Sequence, residues 1–367
     1  MYNSYFDIFS ENEKLFNYKF KSIQEIKDSA LYILDTNVLL LPYTIRSKEL
    51  EIIKKVYAKL VKDDKLLIPS QVVKEFAKNR PNKLSEMYQA IANYLSLLNI
   101  HQMPQYKMLS DMQEYKDVMS FFPQYASISK EYKQKVEKIL QFIKKFNWDD
   151  PISELYSQII KNNIILNYEW EYDDLQKQLE ERHKFNIPPA NKDKAKDDKG
   201  IGDFIIWKDI LETGKVRNTE IIFVTGDEKP DWYHQSGGSK LYPRYELCYE
   251  FKQYTGGKDL AFISLSTLID MYSEDKEVVE AIKEVETSKE KSKITLREFK
   301  NQVFSRANYK CECCGLTYEK DMLSIHFDPL LKDEERSIDN VVVLCNKCNV
   351  KIGNRKISEF IAENKEI

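Results

Sequence analysis

The sequence has no excess of charge of either sign, no long apolar run, and almost no cysteine outside one short stretch. Its 56 Lys and Arg stand against 59 Asp and Glu, a net charge of −3. No global field therefore attracts a polyanion, and any surface for nucleic acid has to be local. No segment approaches the ~18 apolar residues of a membrane span, and the opening residues MYNSYFD carry no basic segment followed by an apolar one. The expectation is a soluble, cytoplasmic chain with no membrane partner. Five of the six cysteines fall between residues 311 and 348, leaving Cys248 alone elsewhere. That is metal-site clustering rather than a chain-wide disulfide framework.

What is present is enough chain for roughly two domains of about 150 residues each. Residues 30–82 read as strand, helix, strand, helix: an apolar run into Asp35, an amphipathic stretch over 48–62, a short run over 65–68, then Ser70 capping a helix through Glu75. This opens a parallel α/β sheet flanked by helices. From about residue 83 to 188 the pattern changes to long helical segments such as EYKQKVEKILQFI at 131–143, with apolar residues recurring at three and four, and reads as a helical insertion. A polar loop over 188–200 leads back to a helix at 201–212, a strand at 220–225 and another near 260–265. The first domain is expected over 1–273. Residues 274–296, dense in Glu and Lys, read as a charged helical linker to a separate module over 297–367.

Three apolar runs each deliver an acid at or just past their end, giving Asp35, Glu75 and Asp227, and Asp203 sits in a helix-like segment between the last two. Carboxylates gathered where strands of an α/β sheet end form a hard-oxygen cage suited to Mg²⁺ or Mn²⁺. Hydrolysis of a phosphodiester by two divalent cations about 4 Å apart needs such anionic ligands from different elements. Each acid also has a plainer reading. Asp35 can cap a helix, Glu75 can face solvent, Asp203 can flank a buried face of Ile201, Phe204, Ile205 and Leu211, and Asp227 can be a turn residue after Gly226. Lys194, Lys196 and Lys199 can hold a phosphate or form a solvated loop. The segment Asp231-Trp232-Tyr233-His234 can stack a nucleotide or pack on the sheet.

Taken in order, Leu34-Asp35-Thr36-Asn37, the Ile68-Pro69-Ser70 entry to the helix with Glu75, Gly202-Asp203 and Val224-Thr225-Gly226-Asp227 resemble the PIN-like nuclease domain. The likeness covers roughly residues 28–270 and is to bacterial PIN-like proteins with large helical insertions. It implies that Asp35, Glu75, Asp203 and Asp227 bind Mg²⁺ or Mn²⁺, that Asn37 and Thr225 support them, and that Lys199 contacts substrate with Asp198 as a fifth acid. PIN-like domains of known activity are mostly ribonucleases and the related flap nucleases cut DNA, so RNA is expected ahead of DNA.

Cys311-Glu-Cys-Cys314 and Cys345-Asn-Lys-Cys348 form two knuckles whose two-residue gap lets paired thiolates reach one tetrahedral Zn²⁺. Four soft ligands close the site and make the zinc structural, and in so small a module the metal supplies much of the folding energy. Cys313 is either a bystander or a competing ligand. The segments Leu323-Ser-Ile-His-Phe-Asp-Pro-Leu330, Ile338-Asp-Asn-Val-Val-Val-Leu344 and Asn349-Val-Lys-Ile-Gly353 resemble the HNH endonuclease module, a zinc-bound ββα (treble-clef) fold, over about 297–357. That resemblance implies His326 or Asp328 as a metal ligand, Asn340 as the Asn that orders the loop and Asn349 as a further ligand. An active site of this kind needs an adjacent His as general base. Here Phe327 follows His326 and Pro329 follows Asp328, so either register lacks the base.

The expected protein is thus a metal-dependent nuclease with a PIN-like catalytic domain and an HNH-like module for substrate or partner contact. Its rivals are a DNA endonuclease acting through the HNH-like module, and a non-catalytic nucleic-acid-binding or adaptor protein. Two nuclease-like modules in one chain invite a role in phage defence or as a toxin, with a protein partner or a homo-oligomer compatible with either.

Overall fold

A computed structural model describes residue 9 and residues 19–98, 100–191, 198–226, 229–236, 239–317, 319, 322–327, 341–353, 355, 357 and 360. They fall into two compact units, 1–283 and 284–367.

The first unit begins with a short helix α1 (Ile23–Ile26) and strand β1 (Leu31–Leu34), and continues through α2 (Thr36–Leu40) and α3 (Ser47–Lys62) to β2 (Leu66–Pro69). Then come α4 (Ser70–Leu97), α5 (Gln113–Ile143), α6 (Pro151–Ile159), β3 (Ile165–Leu166), α7 (Tyr172–Phe185), α8 (Ile201–Arg217) and β4 (Ile221–Val224). A hairpin β5 (Tyr233–Ser236) and β6 (Ser239–Pro243), α9 (Tyr245–Tyr254), β7 (Leu260–Ile263) and α10 (Leu265–Tyr272) complete it. The five strands β1 to β4 and β7 form one sheet in the order β3-β2-β1-β4-β7, with every pairing parallel.

Parallel sheets are covered on both faces, which is why their strands read as unbroken apolar runs rather than alternating ones. All four residues of β4 are fully buried. Helix α3 packs against α6 and α10, while α8 packs against α4, α7 and α9. Strand order runs outward from β1 through β2 to β3, then jumps to β4 and runs the other way to β7. The order therefore reverses between β1 and β4, and the crevice beyond their carboxyl ends is where such sheets place ligands.

Several elements differ from expectation for local reasons. Ser70 is the first residue of α4 and caps nothing; Pro69 takes the N-cap position. α4 continues to Leu97 with Pro81 inside it, well past residue 83. Strand β3 lies inside the segment expected to be all helical, pairing with β2 through Ile68↔Ile165 and Pro69↔Leu166. Two residues are too few to show any period. Trp232 is buried, its ring 5.2 Å from Phe223, 6.1 Å from Phe262 and 6.3 Å from Trp207, so this aromatic turn packs on the sheet.

A buried ion pair fixes the helical segment to the sheet domain. Arg80 of α4 donates through Nε and Nη2 to Asp150 Oδ2 at 2.9 and 2.6 Å, and Asp150 caps α6 by accepting from the backbone of Ile152 and Ser153. Tyr43 donates to the other carboxylate oxygen at 3.0 Å, and Trp148 stacks over the guanidinium. Burial by itself raises the Asp150 carboxyl, but hydrogen bonds from Ser153 and Arg80 outweigh it and hold the group below its ordinary value. Its contribution is therefore present above that ordinary value and is lost as pH falls through the lowered one.

In the second unit, β8 (Leu323–Phe327) pairs antiparallel with β9 (Val341–Cys345), and α12 (Asn346–Ile352) follows directly. The division between units falls within α11 (Lys276–Arg306). The small core gathers Val303, Phe304, Leu323, Ile352 and Phe360 around β9. Glu312 ties the first cysteine knuckle to that strand, its backbone N–H donating to Val343 O at 2.8 Å and its carboxylate accepting from Val343 N at 2.7 Å.

All four tryptophans lie in the first unit, so their fluorescence follows its unfolding alone. Asp150→Ala leaves Arg80 charged, buried and unpaired, and is expected to cost about 3–5 kcal/mol. The measurement is the shift of the tryptophan-detected urea midpoint.

Candidate active site and zinc centre

At the point where strand order reverses, register decides which side chains meet. Leu34 lies opposite Val224, and the ladder continues for one more bond as Asp35 N donates to Val224 O at 3.0 Å. This places Asp35, the residue after β1, beside Thr225, the residue after β4. Asp35 also caps α2, accepting from Thr36 N at 2.7 Å. Its other oxygen, Oδ2, accepts from Thr225 Oγ1 at 2.6 Å and from Asn37 Nδ2 at 2.6 Å. Asn37 Oδ1 in turn accepts from Gly226 N at 2.7 Å, which fixes the orientation of the amide. Asp35, Thr36 and Thr225 are all buried.

A second carboxylate is tied by a hydroxyl to the residue that follows the first. Thr36 Oγ1 donates to Glu75 Oε2 at 2.7 Å, and Gln71, one turn earlier on α4, donates to Oε1 at 2.9 Å. The opening turn of α8 is packed onto this carboxylate so closely that a Cβ on Gly202 would lie 2.5 Å from Glu75 Oε1. Asp203 follows in the same turn, and Lys229 Nζ lies 3.7 Å from its Oδ2. Chain entry to α8 is shaped by Asp198, whose Oδ1 accepts from Gly200 N at 3.1 Å. Lys199 adopts a left-handed φ of 51° there and is exposed.

The acidic arrangement thus brings Asp35, Glu75, Asn37, Thr225 and the Gly202-Asp203 turn to one crevice. Asp227, Lys194 and Lys196 lie outside the described residues. Asp209, further along α8, is buried and accepts from Trp170 Nε1 at 2.8 Å; burial pushes its carboxyl up to about 7.

In the second unit the sulfurs of Cys311, Cys314, Cys345 and Cys348 all lie within 4.8 Å of one another. Tetrahedral zinc with Zn–S bonds of about 2.3 Å requires sulfurs roughly 4 Å apart, so this set fits Zn²⁺. Cys313 packs against the module's core. His326 on β8 and Asn349 on α12 are in contact, with His326 Nδ1 3.1 Å from Asn349 Oδ1. That oxygen can only accept, so the contact is a hydrogen bond in the tautomer with the proton on Nδ1, which leaves the lone pair on Nε2. Nε2 is buried without a hydrogen-bond partner among the described residues. Phe327 stacks on Phe299 at 6.2 Å, an apolar contact at the position where a base would follow His326. Asp328 and Asn340 lie outside the described residues.

Comparison with known families agrees with this geometry. Residues 31–247, more than half of the chain, match the family described as PIN like domain. The chain belongs to the PIN-like family. Residues 311–355 match the HNH endonuclease family. No curated protein and no solved structure matches the chain. Both families hydrolyse phosphodiester bonds, so the protein is a nuclease and nucleic acid is its substrate. Divalent cations are the usual cofactors of such domains, and the four-cysteine set fits structural zinc. No helix among the described residues is long and apolar enough to cross a membrane.

Three residues of the PIN-like crevice escaped the sequence reading: Thr36, Gln71 and Lys229. Gln71 had a signal, since a Gln four residues before a Glu on a helix faces it. Thr36 stood inside the Leu34-Asp35-Thr36-Asn37 motif without a role and Lys229 had no signal, because their partners are set by packing across the sheet.

Gly202→Ala is expected to separate geometry from stability. Ala is favoured over Gly within a helix by about 1 kcal/mol, and the clash falls on the far end of the Glu75 side chain, which can turn aside. The tryptophan-detected urea midpoint should hold or rise while cleavage drops about 100-fold, the loss that a displacement of about 1 Å brings if Glu75 is a ligand of the reacting centre. Cys345→Ser should abolish stoichiometric zinc, read by elemental analysis, and unfold the second unit without moving the tryptophan-detected transition.

Proposed function

We propose that the protein cleaves RNA in the PIN-like crevice, with Asp35, Glu75, Asp203 and Asp227 holding Mg²⁺ or Mn²⁺, and that the HNH-like module contacts substrate or a partner. One observation carries this reading: Asp35 is oriented by three donors, Thr36 N and Asn37 Nδ2 in the first turn of α2 and Thr225 Oγ1 just past β4, at the reversal of strand order, with Glu75 and the Asp203 turn drawn up beside it. A single structural cap needs one such donor. Three donors hold the carboxylate ready, so it needs no reorganisation as charge develops on the phosphodiester. Cations bound by these acids would activate the attacking water and offset charge on the leaving oxygen.

The residues of the chain do the rest. Thr36 and Gln71 aim Glu75, and Asn37 locks Asp35 to the backbone after β4. Lys229, beside Asp203, supplies positive charge where the substrate phosphate has to lie. RNA is preferred over DNA because ribonucleases predominate among PIN-like domains, as the resemblance implies.

A second reading has the HNH-like module cutting DNA. The buried, unpartnered Nε2 of His326 beside Asn349 favours it, since a lone pair of this kind suits a metal ion. Against it stands Phe327, which can accept no proton.

End-labelled RNA, tRNA, single-stranded DNA and duplex DNA, each with Mn²⁺ or EDTA, distinguish the readings when tested beside Asp203→Asn and His326→Ala. The proposal expects Mn²⁺-dependent cleavage of RNA that is lost in Asp203→Asn and retained in His326→Ala. Full activity in Asp203→Asn removes that residue from the site. Loss confined to His326→Ala moves the chemistry to the second unit.

A further inference from the structure

Helix α5 carries two apolar stripes where a helix lying on one neighbour needs only one. Its inner stripe, including Phe122, Val136 and Leu140, is buried or half-buried, on the side where α4 packs. The outer stripe runs through Val118, Phe121, Tyr125, Ile128, Tyr132, Ile139 and Phe142, spaced 3, 4, 3, 4, 7 and 3 residues apart. Each of these seven is 48% to 64% exposed, and Tyr132, at the edge of the stripe, also meets Tyr94 of α4, hydroxyl to hydroxyl at 3.1 Å. The seven-residue step skips Lys135, which fills the missing position of the repeat. A repeat of 3.5 residues sustained over most of a 31-residue helix is the pattern of a coiled-coil seam. A one-neighbour surface helix has no use for it.

Area sets the kind of occupant. Seven side chains, each with about half of roughly 150–200 Å² exposed, offer about 500–700 Å². That reaches the upper end of the apolar patch usual on a monomer and beyond, and approaches the ~800 Å² per partner of a standard interface.

Charge selects a second copy. Glu114 and Asp117, with Lys116 between them, stand at the amino end of the stripe, and Lys144 and Lys145 follow its carboxyl end, all exposed, Lys144 reaching over the Tyr88 ring of α4 at 5.4 Å. Two copies laid antiparallel about an axis beside Lys130 bring each acidic end to a basic end. In that register Val118 meets Phe142 of the second copy, Phe121 meets Ile139, Ile128 meets Tyr132, and Tyr125 meets Lys135. The one charged position in the stripe thus faces an aromatic ring, which suits a cation. A parallel pairing would set like charges together.

We infer that the outer face of α5 is a homodimer interface, in which the α4/α5 hairpins of two copies form an antiparallel four-helix bundle. The pairing is isologous, each residue meeting the same set on the other chain. It is independent of where cleavage occurs.

Light scattering on the full-length protein, over a concentration series reaching about 100 μM, should give the dimer mass. Phe121→Glu with Ile128→Glu should give a monomer with unchanged helical circular dichroism, since both side chains face outward. Reversing the acidic end with Glu114→Lys and Asp117→Lys should weaken the dimer about 10-fold or more, and adding Lys144→Glu and Lys145→Glu should restore it. A monomeric wild type throughout the series overturns the inference, including where it is found bound to another macromolecule. So does a dimer untouched by Phe121→Glu with Ile128→Glu. Failure of the charge reversal to weaken, or of the second pair to restore, overturns the antiparallel arrangement.

Discussion

The candidate active site depends on one pairing, that of β1 with β4. These strands are 187 positions apart in the sequence, counted from Leu34 to Ile221, yet lie side by side in parallel register. Because strand order reverses between them, no crossover helix closes the space beyond their ends. The residues that follow the two strands, Asp35 and Thr225, are thereby left facing each other and satisfied by each other. A slip of one residue in that register would turn every side chain to the other face and dissolve the bracket. Full burial of β4 and of most of β1 is what prevents the slip.

Around that pairing, the remaining groups are placed by short polar links rather than by bulk packing. The Thr36 hydroxyl joins the cap of α2 to Glu75 on α4, and the absent side chain of Gly202 lets α8 approach the same carboxylate. Three elements converge on the crevice through atoms no larger than a hydroxyl, an amide and a hydrogen. The long helical segment is secured differently, by the buried Arg80–Asp150 pair and its Tyr43 and Ser153 partners. This anchor lets α4 and α5 extend as a hairpin whose outer surface is free of the sheet's packing demands.

The second unit follows another physical regime. Its apolar core is small, and its four sulfurs converge from a knuckle after α11 and from the β9–α12 junction. Metal affinity supplies in such a module what area cannot. The same compactness places His326 against Asn349, while Phe327, on the opposite face of β8, is committed to Phe299. Alternation along a strand thus separates the one imidazole of this unit from the position where an HNH enzyme would carry its base.

Local sequence determined the elements whose signals are local. The apolar runs into Asp35 and Asp227, the amphipathic period of α3, and the two-residue gaps of the cysteine knuckles each follow from backbone periodicity or from ligand reach, and each can be read from a dozen residues. The cysteine set was likewise legible, as were the candidate acids Asp35, Glu75 and Asp203 that the fold brings to one crevice, because the chemistry of soft-thiolate and hard-oxygen ligands limits which residue types can serve. Tertiary structure alone decided the rest. Strand β3 is two residues long and exists only because β2 offers it an edge. The hairpin β5–β6 sits where the sequence showed only an aromatic turn, Ser70 begins a helix it was expected to cap, and Thr36, Lys229 and Gly202 acquire meaning from partners dozens to hundreds of positions away. The exposed stripe of α5 was present in the sequence as half of a helical pattern, but which of its two apolar faces is covered is a property of packing. Periodicity reports that a side chain needs a neighbour; only the folded chain determines whether one is there.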